Sequence, residues 1–92
     1  MLDMDDEIFL NERIKVVATF GDGLNPCRPI RFKRANGREV TISEIGLRHP
    51  TMQGKRTLHI FDVTDGSADY RLELDADRLT WRLTREADHV ER

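Results

Sequence analysis

The chain has 92 residues, which is enough for one domain and too few for two. Charged residues make up 35% of it, but 15 Lys and Arg nearly balance 17 Asp and Glu, so the net charge of -2 does not force disorder. No apolar run approaches the roughly 18 residues that span a bilayer, and the acidic N-terminal residues do not resemble a secretory signal. We therefore expect a single cytoplasmic domain that does not enter a membrane.

Residue types that hold metals or carry out catalysis are sparse and scattered. Cys27 is the only cysteine, which excludes an intrachain disulfide and a zinc site with four cysteines. The segment Asp62–Asp69 does not fit a calcium loop, because Phe61 stands where the first aspartate belongs when Gly66 is the sixth position. The three histidines have no partner at metal-ligand spacing: His49, His59 and His89. The sequence therefore predicts no cofactor, no metal and no catalytic residue.

Apolar and polar residues alternate along most of the chain, and this period of two indicates half-buried β-strands. The first alternating run covers Ile14–Phe20 and ends at the glycines of the following turn. Residues 46–54 contain the breakers His49-Pro50 and Gln53-Gly54, so we predict a loop there. The other predicted strands cover residues 30–33, 40–43, 55–63, 70–74 and 79–83.

Ala35-Asn36-Gly37 is a typical three-residue hairpin loop, in which Gly37 supplies the left-handed residue. This loop would place Phe32 opposite Val40 and Lys33 opposite Glu39 in the flanking strands, and Ile30 opposite Ile42 on the apolar face. The face pattern and the turn chemistry therefore predict the same hairpin.

The last two predicted strands form a second hairpin around Asp75-Ala76-Asp77. If Leu74 stands opposite Leu79, the inward residues of the two strands also meet, which pairs Leu72 with Trp81 and Tyr70 with Leu83. In these and the other predicted strands, four aromatic residues fall on the inward phase and are predicted core: Phe20, Phe32, Tyr70 and Trp81.

The predicted strand 55–63 has apolar residues on both faces, at Leu58, Ile60, Phe61 and Val63. Such a strand is expected to be central, or to be covered on its second face by a terminal segment or a partner. Phe61, with His59 beside it on the same face, is the one aromatic residue that the sequence leaves as a candidate platform for stacking of nucleic-acid bases.

About six short strands with tight turns predict an all-β domain, either a small antiparallel SH3-like barrel or a strongly bent meander. We assign the barrel to residues 13–85. Residues 1–12 form an acidic N-terminal arm, as a turn of helix or an extended segment along the barrel, and residues 86–92 form a solvated tail.

The order of the predicted strands and turns is similar to that of a known group of proteins. Pro29-Ile30-Arg31-Phe32, a short hairpin, the strand from Val40 to Ile45, and Tyr70–Leu74 leading to Trp81-Arg82-Leu83 resemble small bacterial all-β proteins of unknown function. The resemblance covers roughly residues 13–85, implies an SH3-like barrel, and transfers no functional residues.

These observations favour a non-enzymatic module for protein interaction or an accessory role. The partner is expected to be a protein, and a homodimer is one form of this. Two apolar surfaces motivate the hypothesis, the cluster Ile8–Leu10 and the doubly apolar strand 55–63. The residues predicted to contact the partner are Phe9, His59 and Phe61.

The alternative function is binding of an anion or a nucleic acid. Residues 28–56 hold eight basic and two acidic residues, a net charge of +6, while residues 1–12 hold five acids and no base. The pI of 5.9 is low for a nucleic-acid-binding domain, so nucleic acid ranks below protein as the partner. The predicted contacts of this basic band are Arg31, Lys33, Arg34, Lys55 and Arg56.

Overall fold

The computed structural model describes residues 7–22 and 25–89. Within these ranges the chain forms seven strands, all antiparallel, in one sheet that curls into a half-barrel. The strands are β1 (Glu7–Asp22), β2 (Asn25–Lys33), β3 (Glu39–Thr41), β4 (Glu44–Gln53), β5 (Arg56–Thr64), β6 (Ala68–Asp75) and β7 (Thr80–Asp88). Their order in the sheet is β3-β2-β1-β7-β6-β5-β4. The predicted all-β antiparallel class is confirmed.

The two outermost strands of the sheet, β3 and β4, are consecutive in the chain, and only Ile42 and Ser43 separate them. The N–H of Ile42 donates to the carbonyl of Ile30 in β2 at 2.9 Å. The N–H of Ser43 donates to the carbonyl of Thr64 in β5 at 2.8 Å. The chain therefore joins the two edges of the curled sheet directly at this corner.

Strand β1 is long because it pairs with two partners in turn. Its residues up to Ile14 pair with β7, and its residues from Lys15 onward pair with β2. It begins at Glu7, so the described part of the predicted N-terminal arm is a strand of the sheet, whereas residues 1–6 lie outside the described residues.

The C-terminal residues that the structure describes also differ from the solvated tail that the sequence predicts for residues 86–92. Glu86 and Ala87 belong to β7 and pair with both β1 and β6. The structure thus extends the sheet to Asp88, and residues 90–92 lie outside the described part.

The concave face of the sheet holds the core, in which Phe32 and Tyr70 meet edge to face with ring centroids 5.2 Å apart. Strand β5 lies between β4 and β6 and is buried on both faces, as its apolar pattern predicted, with Leu58 and Ile60 on the face away from this core. The core residues are Ile14, Phe32, Val40, Phe61, Val63, Tyr70, Leu72, Leu74 and Leu83.

The predicted hairpin around Ala35-Asn36-Gly37 is confirmed in turn and register. Phe32 stands opposite Val40 and Lys33 opposite Glu39. The loop closes through hydrogen bonds from the N–H of Gly37 to the carbonyl of Arg34 and from the N–H of Arg34 to the carbonyl of Arg38, and Gly37 has a φ of 92°. The left-handed residue is therefore where the loop length requires it.

The predicted loop over residues 46–54 is wrong, because most of it is strand β4. This strand lies at the sheet edge and pairs only with β5 among the described elements. Its residues are exposed on both faces along most of its length, so no alternation marks it, and an edge tolerates the missing N–H of Pro50. The connection to β5 is the short turn at Gly54 and Lys55.

The predicted register of the second hairpin is wrong by two residues. Leu74 stands opposite Trp81 and Leu72 opposite Leu83, so the same faces meet but Leu79 falls in the turn. The carboxylate of Asp75 sets this turn by accepting hydrogen bonds from the N–H groups of Asp77 and Arg78, at 3.0 and 3.2 Å.

Two of the residues predicted to be core lie at the surface. Leu79 is 78% exposed, because it stands in the turn instead of the strand. Phe20 is on the inward phase of β1 but is 68% exposed, because β1 extends past the packed part of the core. Both residues line one cavity at the same end of the half-barrel.

Candidate functional site

An apolar cavity of about 460 Å³ opens at the end of the sheet where β1 and β6 finish and β2 and β7 begin. We call it the mouth cavity. Its floor is formed by Phe61, Leu74 and Trp81, and its rim by Phe20 and Leu79. A concave, mostly apolar space of this volume is typical of sites that bind a small ligand or a partner side chain.

The floor of the mouth cavity is fixed by the core beneath it. Phe61 is 1% exposed, and its ring lies 5.5 Å from that of Trp81 at an interplanar angle of 38°. Leu74 stands opposite Trp81 in the β6–β7 register. These three side chains therefore form one fixed surface, since Phe61 and Leu74 belong to the core and Trp81 packs against it.

The rim is exposed and locally strained. Leu79 has a φ of 55°, a left-handed conformation that costs an L-residue with a branched side chain about 1–2 kcal/mol. Its side chain recovers little of that cost by burial, because it is largely open to solvent. Phe20 faces the same cavity from β1. The rim thus carries two exposed large apolar side chains, and such side chains mark contact sites where they form part of a contiguous patch.

Three polar side chains line the cavity wall: Cys27, Arg48 and His59. Burial raises the pKa of the Cys27 thiol, and the positive charge of Arg48 opposes this only in part. The thiol is therefore held in its protonated, weakly nucleophilic form. No carboxylate is among the residues that line this cavity in the described part of the chain.

A second groove, of about 350 Å³, adjoins the mouth cavity, and we call it the seam groove. It lies between β2, through Cys27 and Arg28, and the start of β4, through Glu44–Gly46 and Arg48. Cys27 and Arg48 line both spaces, so the two are adjacent. Along this seam the edge of β4 has no strand partner among residues 7–22 and 25–89.

The structure brings together two of the three residues predicted to contact a partner. His59 and Phe61 both line the mouth cavity. Phe9 is 75% exposed on β1 opposite Arg85, in a part of β1 that does not line the cavity.

The residues of the predicted basic band do not form one continuous surface in the structure. Arg34 is held by Glu12, through Nε–Oε2 and Nη2–Oε1 contacts of 3.2 and 2.8 Å, and by Glu86 at 2.9 Å. Its bond to Glu12 is the main cause that raises the pKa of Arg34, against the effect of burial. Arg34 therefore stabilises the fold and has few donors left for an external anion.

The other members of the band also differ in surroundings. Arg56 pairs with Asp75 at 3.2 Å and binds Gln53 at 3.0 Å. Lys55 is exposed in the turn between β4 and β5. Only Arg31 and Lys33 lie side by side on one exposed face, that of β2.

Two other surface features have polar groups that already bind each other. A polar concavity of about 560 Å³ on the outer face contains Arg56 and Asp75, whose charges already compensate each other. His89 Nδ1 lies 2.7 Å from Asp69 Oδ1, and the N–H of His89 donates to the carbonyl of Ser67 at 3.2 Å, so this pair fastens the end of β7 to the start of β6. Among the described residues no group of three potential ligands could hold a metal ion.

Phe20, Leu79 and Trp81 line the cavity, whereas the alternation in the sequence predicts that all three face the core. The signal that could have found Leu79 is Asp75, which begins a turn by accepting backbone hydrogen bonds. No local signal marks Phe20, since only the curl of the sheet decides that it lies beyond the core.

No family model, no curated protein and no solved structure matches the chain. Of the residues that the structure describes, none form a helix that could cross a membrane.

Proposed function

We propose that this protein is a non-catalytic interaction module that binds an extended segment of another protein, with an apolar side chain of that segment in the mouth cavity. The observation that carries the proposal is the exposed rim, Phe20 and Leu79, above a packed floor of Phe61, Leu74 and Trp81. The proposal keeps the cytoplasmic location and the SH3-like description that the sequence predicts.

The apolar side chain is supported by the chemistry of the cavity. Aromatic side chains on the floor offer large contact areas with little conformational entropy left to lose. The exposed parts of Phe20 and Leu79 add apolar area that an inserted side chain would remove from water, at about 25 cal/mol per Å². Binding would therefore be driven mainly by apolar burial.

The extended conformation of the bound segment is supported by the seam groove. The edge of β4 offers backbone donors and acceptors along Glu44–Leu47, which a partner strand can pair with. Pro50 has no N–H to offer, so pairing is expected to end there. A segment on this edge reaches the mouth cavity past Cys27 and Arg48, which line both spaces.

The non-catalytic character is supported by the state of the polar groups in the cavity. Cys27 is kept protonated because burial raises its pKa. Among the described residues that line the cavity, none is a carboxylate that orients His59 as a base. The residues that line the mouth cavity are therefore better suited to binding a partner than to catalysing a proton transfer.

A displayed library of random linear peptides, selected on the full chain, tests the proposal. We expect enriched peptides to share one large apolar residue and to bind the Leu79→Asn variant about tenfold more weakly, the loss that follows from about 1.4 kcal/mol of apolar contact. Ile8→Asn is the matched control, because Ile8 is also an exposed aliphatic residue and does not line the cavity.

Two results would contradict the proposal. Peptides that bind wild type and Leu79→Asn equally would place the contact elsewhere. Sedimentation velocity that shows a dimer of wild type and a monomer of Phe20→Ser would identify the occupant as a second copy of this chain.

A further inference from the structure

The mouth cavity is lined by two basic side chains and by no carboxylate of the described residues. Arg48 on β4 stands opposite Phe61, and His59 lies two residues before Phe61 on β5. Arg48 and His59 are therefore diagonal neighbours on the concave face, a spacing that long side chains can bridge. The chain as a whole has more acids than bases, so a lining with bases alone departs from its composition.

Two carboxylates lie next to the mouth cavity in sequence but do not line it. Asp75 and Asp77 flank Ala76, which does line the cavity. The carboxylate of Asp75 binds Arg56 at 3.2 Å and accepts the N–H of Asp77 at 3.0 Å. The Cys27 thiol stays protonated, because burial raises its pKa, and it adds no negative charge. The described lining therefore offers an anionic ligand group hydrogen-bond donors without a carboxylate that repels it.

The seam groove places an acid at the end away from the mouth cavity. Glu44, at the start of β4, is the only acid among the described residues that line this groove, whereas Arg48 lies later in the strand and lines both spaces. A segment paired along Glu44–Leu47 therefore reaches the cavity beside Arg48, where its pairing ends. A negative charge on that segment is favoured at Arg48 and disfavoured at Glu44. The anionic end of the segment is thus expected at the mouth cavity.

An α-carboxylate fits this arrangement better than an acidic side chain does. In an extended segment, neighbouring side chains point to opposite faces, so an acid next to the apolar residue would point away from the cavity. The α-carboxylate of a C-terminal residue is attached to the same Cα as its apolar side chain, so one residue supplies both groups. The guanidinium of Arg48 has five N–H donors in a fork, so two of them can hold a carboxylate while the others serve other acceptors.

We propose that the bound segment is the C-terminus of the partner protein, with the apolar side chain of its last residue in the mouth cavity and its α-carboxylate on Arg48 and His59. This step rests on the proposed function, because it requires an apolar side chain of the partner in the cavity. The segment runs in the same direction as β4, and its preceding residues lie along the edge toward Glu44.

Fluorescence anisotropy with the full chain tests the role of the α-carboxylate. The probe is a peptide with a C-terminal leucine, labelled at its N-terminus and selected from a library displayed with free C-termini, and it is compared with its C-terminal amide. Wild type should bind the amide about tenfold more weakly than the free acid. In Arg48→Gln the two forms should differ by less than about twofold, and a change in folding stability cancels in this ratio. The matched control is Arg78→Gln, an exposed arginine of the Leu79 turn that does not line the cavity, and it should keep the tenfold ratio.

A nitroxide at the N-terminus of the same peptide tests its direction, since it should broaden the amide NMR signals of residues 44–46 and leave that of Trp81 sharp. The reverse pattern would overturn the proposal, as would a free-C-terminus library that yields no binder. Equal binding of acid and amide by wild type, or a tenfold ratio retained in Arg48→Gln, would also overturn it. The proposed function would survive those results if Leu79→Asn still weakened both peptides, whereas equal binding to wild type and Leu79→Asn would contradict the proposed function itself.

Discussion

Arg34 and Glu12 are joined by two hydrogen bonds, Nε to Oε2 at 3.2 Å and Nη2 to Oε1 at 2.8 Å, although 22 residues separate them. Glu12 also accepts the N–H of Ala35 at 2.9 Å, and Glu86 binds the remaining side of Arg34. The guanidinium thus fastens the β2–β3 loop to both β1 and β7. The side chains of Arg34 and Glu12 are 13% and 20% exposed, so water screens the pair only in part.

Removal of this link should destabilise the fold. We expect Arg34→Ala to lower the free energy of unfolding by about 2 kcal/mol, because two carboxylates lose charged hydrogen bonds in a partly buried place. Urea unfolding followed by circular dichroism measures the change. Arg38→Ala, in the same loop but exposed, should change it by less than about 0.5 kcal/mol. Equal effects of the two variants would contradict this role.

Stability should fall in acid partly through Glu12. The hydrogen bonds from Arg34 and then from Ala35 lower the pKa of Glu12 in the folded chain below its ordinary value of 4.5. A carboxyl with a lowered folded pKa contributes stability above its unfolded pKa and loses it as the pH falls through the folded value. Urea midpoints measured across this acid range should decline less steeply for Glu12→Gln than for wild type, from a lower starting stability. Parallel curves would contradict the prediction.

Alanine substitutions at Gly37 and Gly46 compare a glycine whose positive φ would strain another residue with a glycine that has no such φ. Gly37 has a φ of 92° and open space where a Cβ would stand, so Gly37→Ala should cost about 1–2 kcal/mol from the backbone alone. Gly46 has no such φ, and its Cβ would meet the carbonyl oxygen of Asp62 at an ordinary 3.5 Å. Thermal unfolding should therefore separate the two variants, with Gly46→Ala close to wild type. A larger loss at Gly46 would contradict this interpretation.

Leu79 should show opposite effects on stability and on binding. Asn tolerates the left-handed conformation better than a branched side chain, and an exposed Leu79 contributes little burial. We expect Leu79→Asn to raise the free energy of unfolding by about 0.5 kcal/mol while it weakens peptide binding. Denaturant titration gives the first quantity. A variant that is both less stable and weaker in binding would show that Leu79 serves the fold.

The parts of the fold that were predictable from the sequence are those fixed by local chemistry. The hairpin at Gly37 follows from turn residues and from the face pattern of the strands beside it. The second hairpin has the correct faces, but its register depends on which backbone groups the side chain of Asp75 binds, and alternation alone permits a shift of two.

The parts that were not predictable depend on the sheet as a whole. Strand β4 has no alternating pattern, because an edge strand with both faces exposed places no demand on its side chains. Phe20 follows the inward phase of β1, and only the curl of the sheet shows that this phase opens into a cavity. The division of the basic band likewise depends on long-range partners such as Glu12 and Asp75.

The emission of Trp81, the only tryptophan, reports on the floor of the mouth cavity directly. A library-selected peptide that itself lacks tryptophan should shift this emission to shorter wavelength in a saturable titration, because its apolar side chain removes water from above the indole. The midpoint of the shift should match the dissociation constant measured from the labelled peptide and should move to higher peptide concentration in Leu79→Asn. Saturable peptide binding that leaves the emission of Trp81 unchanged would contradict the account.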